Sequence, residues 1–170
     1  MAALTKEMQQ HLLGQQGERT IRRFFTNQLG WGCEESPYVL DDRHDLIVYP
    51  DPSDKSKFME FQIKTKVPWF TENAISFEPK QWIKYRDTPK LGTLVICAGS
   101  DKWSFLDRHD TEGKVFLIHN KEDVETFEGT TKEGRVMTLI SISSPYLEEM
   151  FRIEDKRILD IMRRFATDES

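Results

Sequence analysis

The sequence has few of the residues from which metal or redox centres are most easily recognised. Only two cysteines, Cys33 and Cys97, occur in its 170 residues, and two are too few for a disulfide framework or a thiolate zinc site. The four histidines are scattered and lack the short spacings of zinc ligands. The composition therefore argues against a zinc module and a disulfide-rich secreted domain, and it favours a reduced cytoplasmic protein.

Long apolar runs and the common nucleotide-binding loops are also lacking. No run approaches the roughly 18–20 apolar residues of a membrane helix, and the N-terminal stretch "MAALTKEMQQHLLGQQGER" does not follow the pattern of a secretory signal. The sequence contains neither GxxxxGK[ST] nor GxGxxG, and it lacks the GxSxG nucleophile pattern. We therefore expect no membrane contact, no binding of nucleotides through those loops, and no serine hydrolase.

The charge of the chain is acidic overall but unevenly distributed. The net charge of −5 argues weakly against a nucleic-acid partner. Residues 55–90, however, carry eight basic and four acidic side chains, and this is the only net-positive part of the chain. A local basic face of this kind is compatible with phosphate binding, although a scatter of lysines gives the same count.

Apolar periodicity predicts a single α/β (α+β) domain over residues 1–170, with a mixed central sheet flanked by helices. Ser144, as an N-cap, and Pro145, at the first helical position, mark the predicted start of a C-terminal helix. Leu147, Met150 and Phe151 have helical spacing within it. The predicted helices cover residues 5–29, 79–87 and 144–166. The predicted strands cover residues 45–50, 57–66, 74–78, 92–98, 102–107, 114–120 and 135–143.

The stretch "FMEFQIKTK" alternates polar and apolar side chains along one predicted strand. Met59, Phe61 and Ile63 would pack on the core, which leaves Glu60, Gln62 and Lys64 on the other face. A row of this kind is most often the solvated face of a hairpin. The preceding strand begins with Asp45, which a hairpin would bring near Gln62 and Lys64 or near Glu60, depending on the register. Because Mg²⁺ prefers oxygen ligands and an adjacent amine stabilises charge on a phosphate, the combination is a candidate metal site.

The pattern "D45…Q62-I63-K64" resembles the signature of the PD-(D/E)XK nuclease superfamily, in the Mrr-like form with Gln in place of the acid. The helix "GQQGERTIRRFFTNQLGW" resembles the first helix of that superfamily. The segment "ISFEPKQWIKYRDTPKLGTLVICAGSDKWSFL" resembles a group of small uncharacterised proteins with the same fold. The resemblance covers residues 12–120, and the predicted C-terminal helix lies outside it.

The resemblance implies a restriction-endonuclease-like fold and a divalent metal, Mg²⁺ or Mn²⁺, as cofactor. It implies that Asp45 is the principal metal ligand, that the Gln62 carbonyl oxygen holds the second position, and that Lys64 is the catalytic amine. Glu18 on the first helix would add an acidic group, and pairing with Arg22 is the alternative for that residue. Glu60 would be a backup ligand, since it lies on the same strand face as Gln62.

The function implied is a metal-dependent nuclease that hydrolyses DNA in restriction, another defence system or repair, acting as a homodimer because two strands require two sites. The sequence does not separate DNA from RNA. The alternative is a weak or inactive nuclease-fold module that binds nucleic acid or a protein partner, favoured by the neutral Gln62 and the acidic net charge. The predicted C-terminal helix is either a dimer or partner surface or is packed on its own domain.

Four further residues are candidates for contact with nucleic acid. Lys66, Lys80 and Lys84 would bind phosphates, for which the alternative is a solvated surface. Trp69 would stack on an unpaired base, and the alternative for its ring is packing in the core or at a sheet edge.

Overall fold

The fold comes from a computed structural model that describes residues 6–35, 46–69, 71–88, 91–98 and 111–165. The helical segments are α1 (Lys6–Arg23), a π-helical turn (Phe24–Gln28), α2 (Pro79–Arg86), a 3-10 turn (Lys121–Asp123) and α3 (Lys156–Phe165). The strands are β1 (Gly32–Glu35), β2 (Leu46–Tyr49), β3 (Met59–Lys66), β4 (Ala74–Phe77), β5 (Leu91–Cys97), β6 (Lys114–Ile118), β7 (Phe127–Thr130), β8 (Val136–Ser141) and β9 (Leu147–Arg152). None of these helices is long and apolar enough to cross a membrane.

The strands form two sheets. The larger has six strands in the order β1-β2-β3-β5-β6-β9, and the smaller has three in the order β4-β8-β7. In the larger sheet β3 and β5 are parallel, whereas the other described neighbours are antiparallel. The predicted mixed sheet with flanking helices is confirmed, and so is the predicted hairpin of β2 and β3.

One face of the large sheet is covered by α1. Leu13, Gly17, Ile21 and Phe25 follow one another at intervals of four residues, and all four are buried, which is the stripe expected of a helix lying on a sheet. At Gly17 the helix comes so close that an added Cβ would lie 2.1 Å from the hydroxyl oxygen of Thr65 on β3. Gly17 is therefore a close-packing glycine, and α1 runs through it without a break.

The opposite face of the large sheet is covered by α2 and the small sheet. Trp82 and Tyr85 of α2 pack with Ile75 and Phe77 of β4 in a cluster that also contains Val95 of β5. β5 therefore has apolar neighbours on both faces, and its buried run confirms the strand predicted over residues 92–98.

The C-terminal helix is confirmed over Lys156–Phe165, but the predicted start at Ser144 is wrong. The preceding residues form β9, which pairs with β6 at the edge of the large sheet. The helix begins after Asp155, whose carboxylate accepts a hydrogen bond of 2.9 Å from the backbone N–H of Arg157. α3 then packs against α1, which agrees with the interpretation of a helix packed on its own domain.

A β-bulge explains why β9 has a helix-like sequence. Val115 pairs with Phe151 and the next residue of β6, Phe116, pairs with Glu149, so Met150 is the extra residue. The insertion changes the two-residue repeat of a strand, because the residues on either side of a bulge no longer alternate in phase. With Met150 inserted, Leu147, Met150 and Phe151 have the spacing of a helix, although Leu147 packs on the α2 side of the sheet and Phe151 packs on the α1 side.

Two smaller differences separate the predictions from the observed structure. β1 and β7 were not predicted, since each has four residues and little apolar periodicity. Met59 was predicted to pack on the core, but its side chain is 39 % exposed because it lies at the start of β3. The predicted strand over residues 102–107 lies outside the described residues.

Candidate active site

The register of β2 and β3 decides where the chain enters the hairpin. Leu46 lies opposite Phe61 and Ile47 lies opposite Glu60. Because the strands are antiparallel, the chain enters β2 beside the Phe61–Gln62 end of β3 and not beyond Glu60. Of the two arrangements compatible with the sequence, this register agrees with the one directed toward Gln62. Asp45 itself lies outside the described residues.

The polar face of β3 is not the solvated face of a hairpin. Phe61 and Ile63 pack with α1, and the strand alternation turns Gln62 and Lys64 toward α2 and the small sheet. Gln62 is only 2 % exposed, and Lys64 is half-buried. The common interpretation of such a row as a solvated surface is therefore wrong for Gln62, and an amide has been placed in the interior of the protein.

Two lysine amines lie over buried aromatic rings on this face. The Nζ of Lys64 is 5.8 Å from the ring centroid of Tyr85 on α2. The Nζ of Lys66 is 5.2 Å from the ring centroid of Phe77 on β4. Both distances are within the range of cation–π attraction. The aromatic layer consequently holds two half-buried positive charges side by side along the end of β3.

The two predicted acidic side chains are placed differently. Glu18 is exposed and follows Gly17 on α1, which crosses the opposite face of β3 at Thr65. Glu60 is half-buried on the same strand face as Gln62, at the other end of β3 from Lys66. Glu60 therefore shares a face with the amide, whereas Glu18 belongs to a helix on the other side of the sheet.

The four candidates for contact with nucleic acid separate into two groups. Trp69 is 3 % exposed and packs with Ala74, Met137 and Leu139, so its ring lies in the core and has no face open to a base. Lys80 and Lys84 are exposed on α2, the helix that also carries Tyr85 beneath Lys64. Lys66 thus lies on the covered face of β3, and Lys80 and Lys84 lie on the helix next to it.

Comparisons with known proteins do not extend this picture. A scan against protein-family models matches none of them to the chain, and a search of curated proteins finds no significant match.

Thr93 is a residue near the site that the sequence patterns did not indicate. It lies directly opposite Gln62 in the parallel pair of β3 and β5, and it is fully buried. Within "LGTLVIC" it is the one hydroxyl-bearing side chain. A threonine is an ordinary strand residue, so its place beside Gln62 becomes evident only from the register.

Lys121 is a second residue that the sequence did not reveal. Its side chain is 4 % exposed, and its amine donates hydrogen bonds to the carbonyl oxygens of Thr88 and Leu91. Burial lowers the pKa of Lys121 to about 8, against the opposing effect of the neighbouring Glu122. Lys121 thus links the 3-10 turn to the ends of α2 and β5. The sequence did not indicate this because its neighbours Glu122 and Asp123 are typical of a surface turn.

Cys97 provides no reactive thiolate at neutral pH. Cys97 is fully buried at the end of β5, and burial raises the pKa of its thiol to about 12. Cys97 is a free thiol. The buried Cys97 thiol therefore acts as a small apolar side chain, and the covered face of β3 remains the strongest candidate for chemistry.

Proposed function

We propose that the protein is a metal-dependent nuclease that hydrolyses phosphodiester bonds of DNA. The observation that supports the proposal is the register of the hairpin, because Leu46, the first residue of β2, lies opposite Phe61, next to Gln62 on β3. Asp45 is the residue that immediately precedes Leu46. The proposal is that its carboxylate acts together with the Gln62 amide and the Lys64 amine.

The chemistry of these side chains fits a divalent metal. Mg²⁺ and Mn²⁺ bind oxygen donors, and the proposed donors are the Asp45 carboxylate and the Gln62 carbonyl oxygen. Among the described residues no group of three or more histidine, cysteine, aspartate or glutamate side chains is placed to hold a metal. The proposed site therefore depends on Asp45 and takes its remaining ligands from Gln62, water and the phosphate. Glu60 is the backup donor on the same strand face.

In this proposal the metal, when bound, polarises the phosphate and its bound water. Lys64 contributes the positive charge next to the scissile phosphate, where it stabilises the charge that develops during hydrolysis. The amine is half-buried over the Tyr85 ring, and electrostatic attraction is stronger there than in open water. Glu18 is assigned a supporting acidic role only, because α1 packs on the other face of β3.

The proposed path of the nucleic acid follows the remaining lysines. Lys66 continues the row of amines on β3, and Lys80 and Lys84 extend it along the exposed part of α2. Cations at these positions would bind successive phosphates without reading the bases. Trp69 is excluded from this path because its ring is buried.

The wider assignments belong to the same proposal. The mixed sheet flanked by helices supports a restriction-endonuclease-like fold, which is the fold that the resemblance implies. Cleavage of both strands of a duplex requires two sites, so we propose a homodimer acting in restriction, another defence system or repair.

One observation favours the alternative of a binding module that does not cut. Gln62 is 2 % exposed, and a metal ligand must be reached by the metal and its waters. A neutral amide in the interior is also a weaker ligand for Mg²⁺ than a carboxylate. In a non-catalytic module Gln62 would serve packing and hydrogen bonding alone, and the lysines would bind phosphates.

Cleavage assays separate the two functions. The protein is incubated with supercoiled DNA, linear duplex, single-stranded DNA and RNA, each with Mg²⁺, Mn²⁺ or EDTA. The nuclease proposal predicts metal-dependent cleavage that is lost in Asp45→Ala and retained in Lys132→Ala, a lysine exposed in the turn that precedes β8. Metal-dependent cleavage that persists in Asp45→Ala would rule out the proposed site. Metal-independent binding of the same substrates without cleavage would support the binding module.

A further inference from the structure

β7 lies at one edge of the small sheet and has exposed side chains. It pairs with β8 on one side, and no described strand pairs with its other side. Phe127 is 42 % exposed, and Glu128 and Thr130 are exposed as well. The backbone N–H and C=O groups along such an edge can pair with a further strand.

The strand is held in its extended form by packing from within the protein. A Cβ added at Gly129, in the middle of β7, would lie 2.6 Å from the ring of Trp69 and 2.5 Å from the side chain of Leu139. Both of those side chains are buried, so the β7 backbone lies directly against a packed layer. A strand that is already ordered loses less conformational entropy when it binds a partner.

A groove lies where the chain enters β7. Its volume is about 540 Å³, which is within the size range of ordinary binding pockets. Asp123, Glu125 and Phe127 line one side, and Ser143 and Tyr146 of the β8–β9 connection line the other. The second side is fixed by a hydrogen bond of 3.0 Å from the backbone N–H of His119 to the carbonyl oxygen of Tyr146. Carboxylates, aromatic rings and a hydroxyl therefore meet in one groove at the end of an edge strand.

The charge of the groove and the strand favours a cationic partner. Residues 123–130 contain three acidic side chains, Asp123, Glu125 and Glu128, and no basic one. Within the described part of the chain neither Asp123 nor Glu125 forms an ion pair, whereas Glu78, which follows β4, pairs with Arg135. A guanidinium binds carboxylates through paired hydrogen bonds and also stacks on aromatic rings. An arginine side chain thus matches both kinds of group in the groove.

We propose that β7 and the groove bind an extended, arginine-containing segment of a partner protein. The segment adds a strand to the small sheet, and its main-chain groups pair with the outer edge of β7. One arginine enters the groove, where its guanidinium contacts the carboxylates of Asp123 and Glu125 beside the Phe127 ring. A second copy of the chain is a poorer occupant, because pairing of two β7 strands brings the Glu128 carboxylates of both copies to one edge. This surface belongs to the small sheet and does not depend on the proposed metal site.

A display library of random peptides is the probe, since it covers arginine-containing sequences without a known partner. The full chain is used for the selection, and fluorescence anisotropy measures the affinity of the enriched peptides. We expect arginine to be enriched. Methylation of one alternating set of backbone nitrogens in the best peptide should weaken binding at least about tenfold, whereas methylation of the other set should not, because a strand presents alternate amides to each neighbour. No enrichment of arginine, or equal effects of the two methylated sets, would overturn the proposal.

Variants of exposed residues test the groove. A double variant, Asp123→Asn with Glu125→Gln, should bind the best peptide about tenfold more weakly. Glu148→Gln, which removes an exposed carboxylate from the edge strand β9 of the large sheet, should keep the wild-type affinity. Thermal unfolding checks that both variants fold. Equal affinity of the double variant and Glu148→Gln would overturn the role of the groove. Sedimentation of the chain with and without the peptide tests the second copy: an unchanged oligomeric state supports a partner protein, and a dimer that the peptide dissociates would overturn it.

Discussion

Leu46 lies directly opposite Phe61 in the antiparallel pair of β2 and β3. Both side chains are buried against α1, so apolar packing stabilises this register in addition to the backbone hydrogen bonds. If the pairing of β3 with its neighbours shifted by one residue, the polar face of β3 would turn toward the apolar cluster under α1. Lys64 would then be buried among apolar side chains. The pairing of two apolar residues therefore determines which residues of the hairpin lie near the start of β2.

Two glycines of α1 provide a matched test of how closely this helix packs on β3. A Cβ added at Gly17 would lie 2.1 Å from the Thr65 hydroxyl, whereas nothing lies within 4 Å of one added at Gly14. Gly14→Ala should raise the free energy of unfolding by up to about 1 kcal/mol through helix propensity. Gly17→Ala should lower it by about 1–3 kcal/mol through overpacking.

Denaturant titration measures both glycine variants. Equal stabilisation by the two alanines would contradict the close contact between Gly17 and Thr65. Both glycines lie inside the same helix, so the difference between the variants reports the contact and not the propensity of alanine.

Because the Lys121 amine is buried, we expect the free energy of unfolding to increase at alkaline pH. Its pKa is lowered by burial from 10.5 to about 8 in the folded protein. Between these values the unfolded chain holds the proton and the folded protein does not, so the free energy of unfolding increases with pH. Relative to Lys121→Met, the wild type should gain at most about 3 kcal/mol from pH 8 to pH 10.5.

Chemical denaturation at pH 7.5 and pH 9.5 tests this dependence. Lys132→Met, which removes an exposed lysine, is the control and should follow the wild type at both pH values. A free energy of unfolding of the wild type that stays constant or falls relative to that of Lys121→Met as the pH rises would contradict the buried amine.

The first turn of α3 depends on Asp155. Its carboxylate accepts hydrogen bonds from the backbone N–H and the guanidinium of Arg157, and these bonds lower the pKa of Asp155. Asp155→Ala should lower the thermal midpoint, whereas Glu154→Ala at the exposed neighbouring position should not. Because the folded pKa is lowered, the contribution of Asp155 is present at neutral pH and is lost as the pH falls through the acidic range. Thermal unfolding followed by circular dichroism measures both midpoints. Equal midpoints for Asp155→Ala and Glu154→Ala would contradict a helix that starts after Asp155.

Trp69 and Lys66 separate packing from nucleic-acid binding. Trp69 is buried in the small cluster with Met137 and Leu139, so Trp69→Ala should lower the free energy of unfolding by about 3–5 kcal/mol. The folded fraction of that variant should bind DNA with wild-type affinity.

Lys66→Ala should weaken DNA binding and reduce the slope of log affinity against log salt by about 1. Fluorescence anisotropy with labelled DNA at several salt concentrations measures both, and an unchanged slope in Lys66→Ala would remove that residue from the proposed path.

The elements that the sequence predicted well are those whose pattern is local. α1 has a repeat of four residues, β3 alternates polar and apolar side chains, and β5 is an unbroken buried run. Each of these patterns is visible within a short window because one element contacts one or two surfaces. The start of α3 was predicted wrongly because Leu147, Met150 and Phe151 have helical spacing in the sequence although they lie in β9, with Met150 as the bulge residue.

The features that were missed depend on contacts between distant parts of the chain. The small sheet joins β4 to β8, which lie about sixty residues apart, and nothing in either segment indicates that they pair. The burial of Gln62 requires α2 and the small sheet to cover β3, so the strand alone suggested a solvated face. The position of Thr93 beside Gln62 is likewise evident only from the parallel register of β3 and β5.

The most direct test of the central claim is the single-turnover rate of DNA cleavage in a double-mutant cycle of Lys64 and Asp45. Residues of one site act as a unit, so their effects are not additive. Lys64→Ala and Asp45→Ala should each reduce the rate constant by at least about a hundredfold, and the double variant should be no slower than the worse single variant. Lys132→Ala should cleave at the wild-type rate. A rate constant for Lys64→Ala within about threefold of the Lys132→Ala control would contradict the assignment of the site to this face of β3.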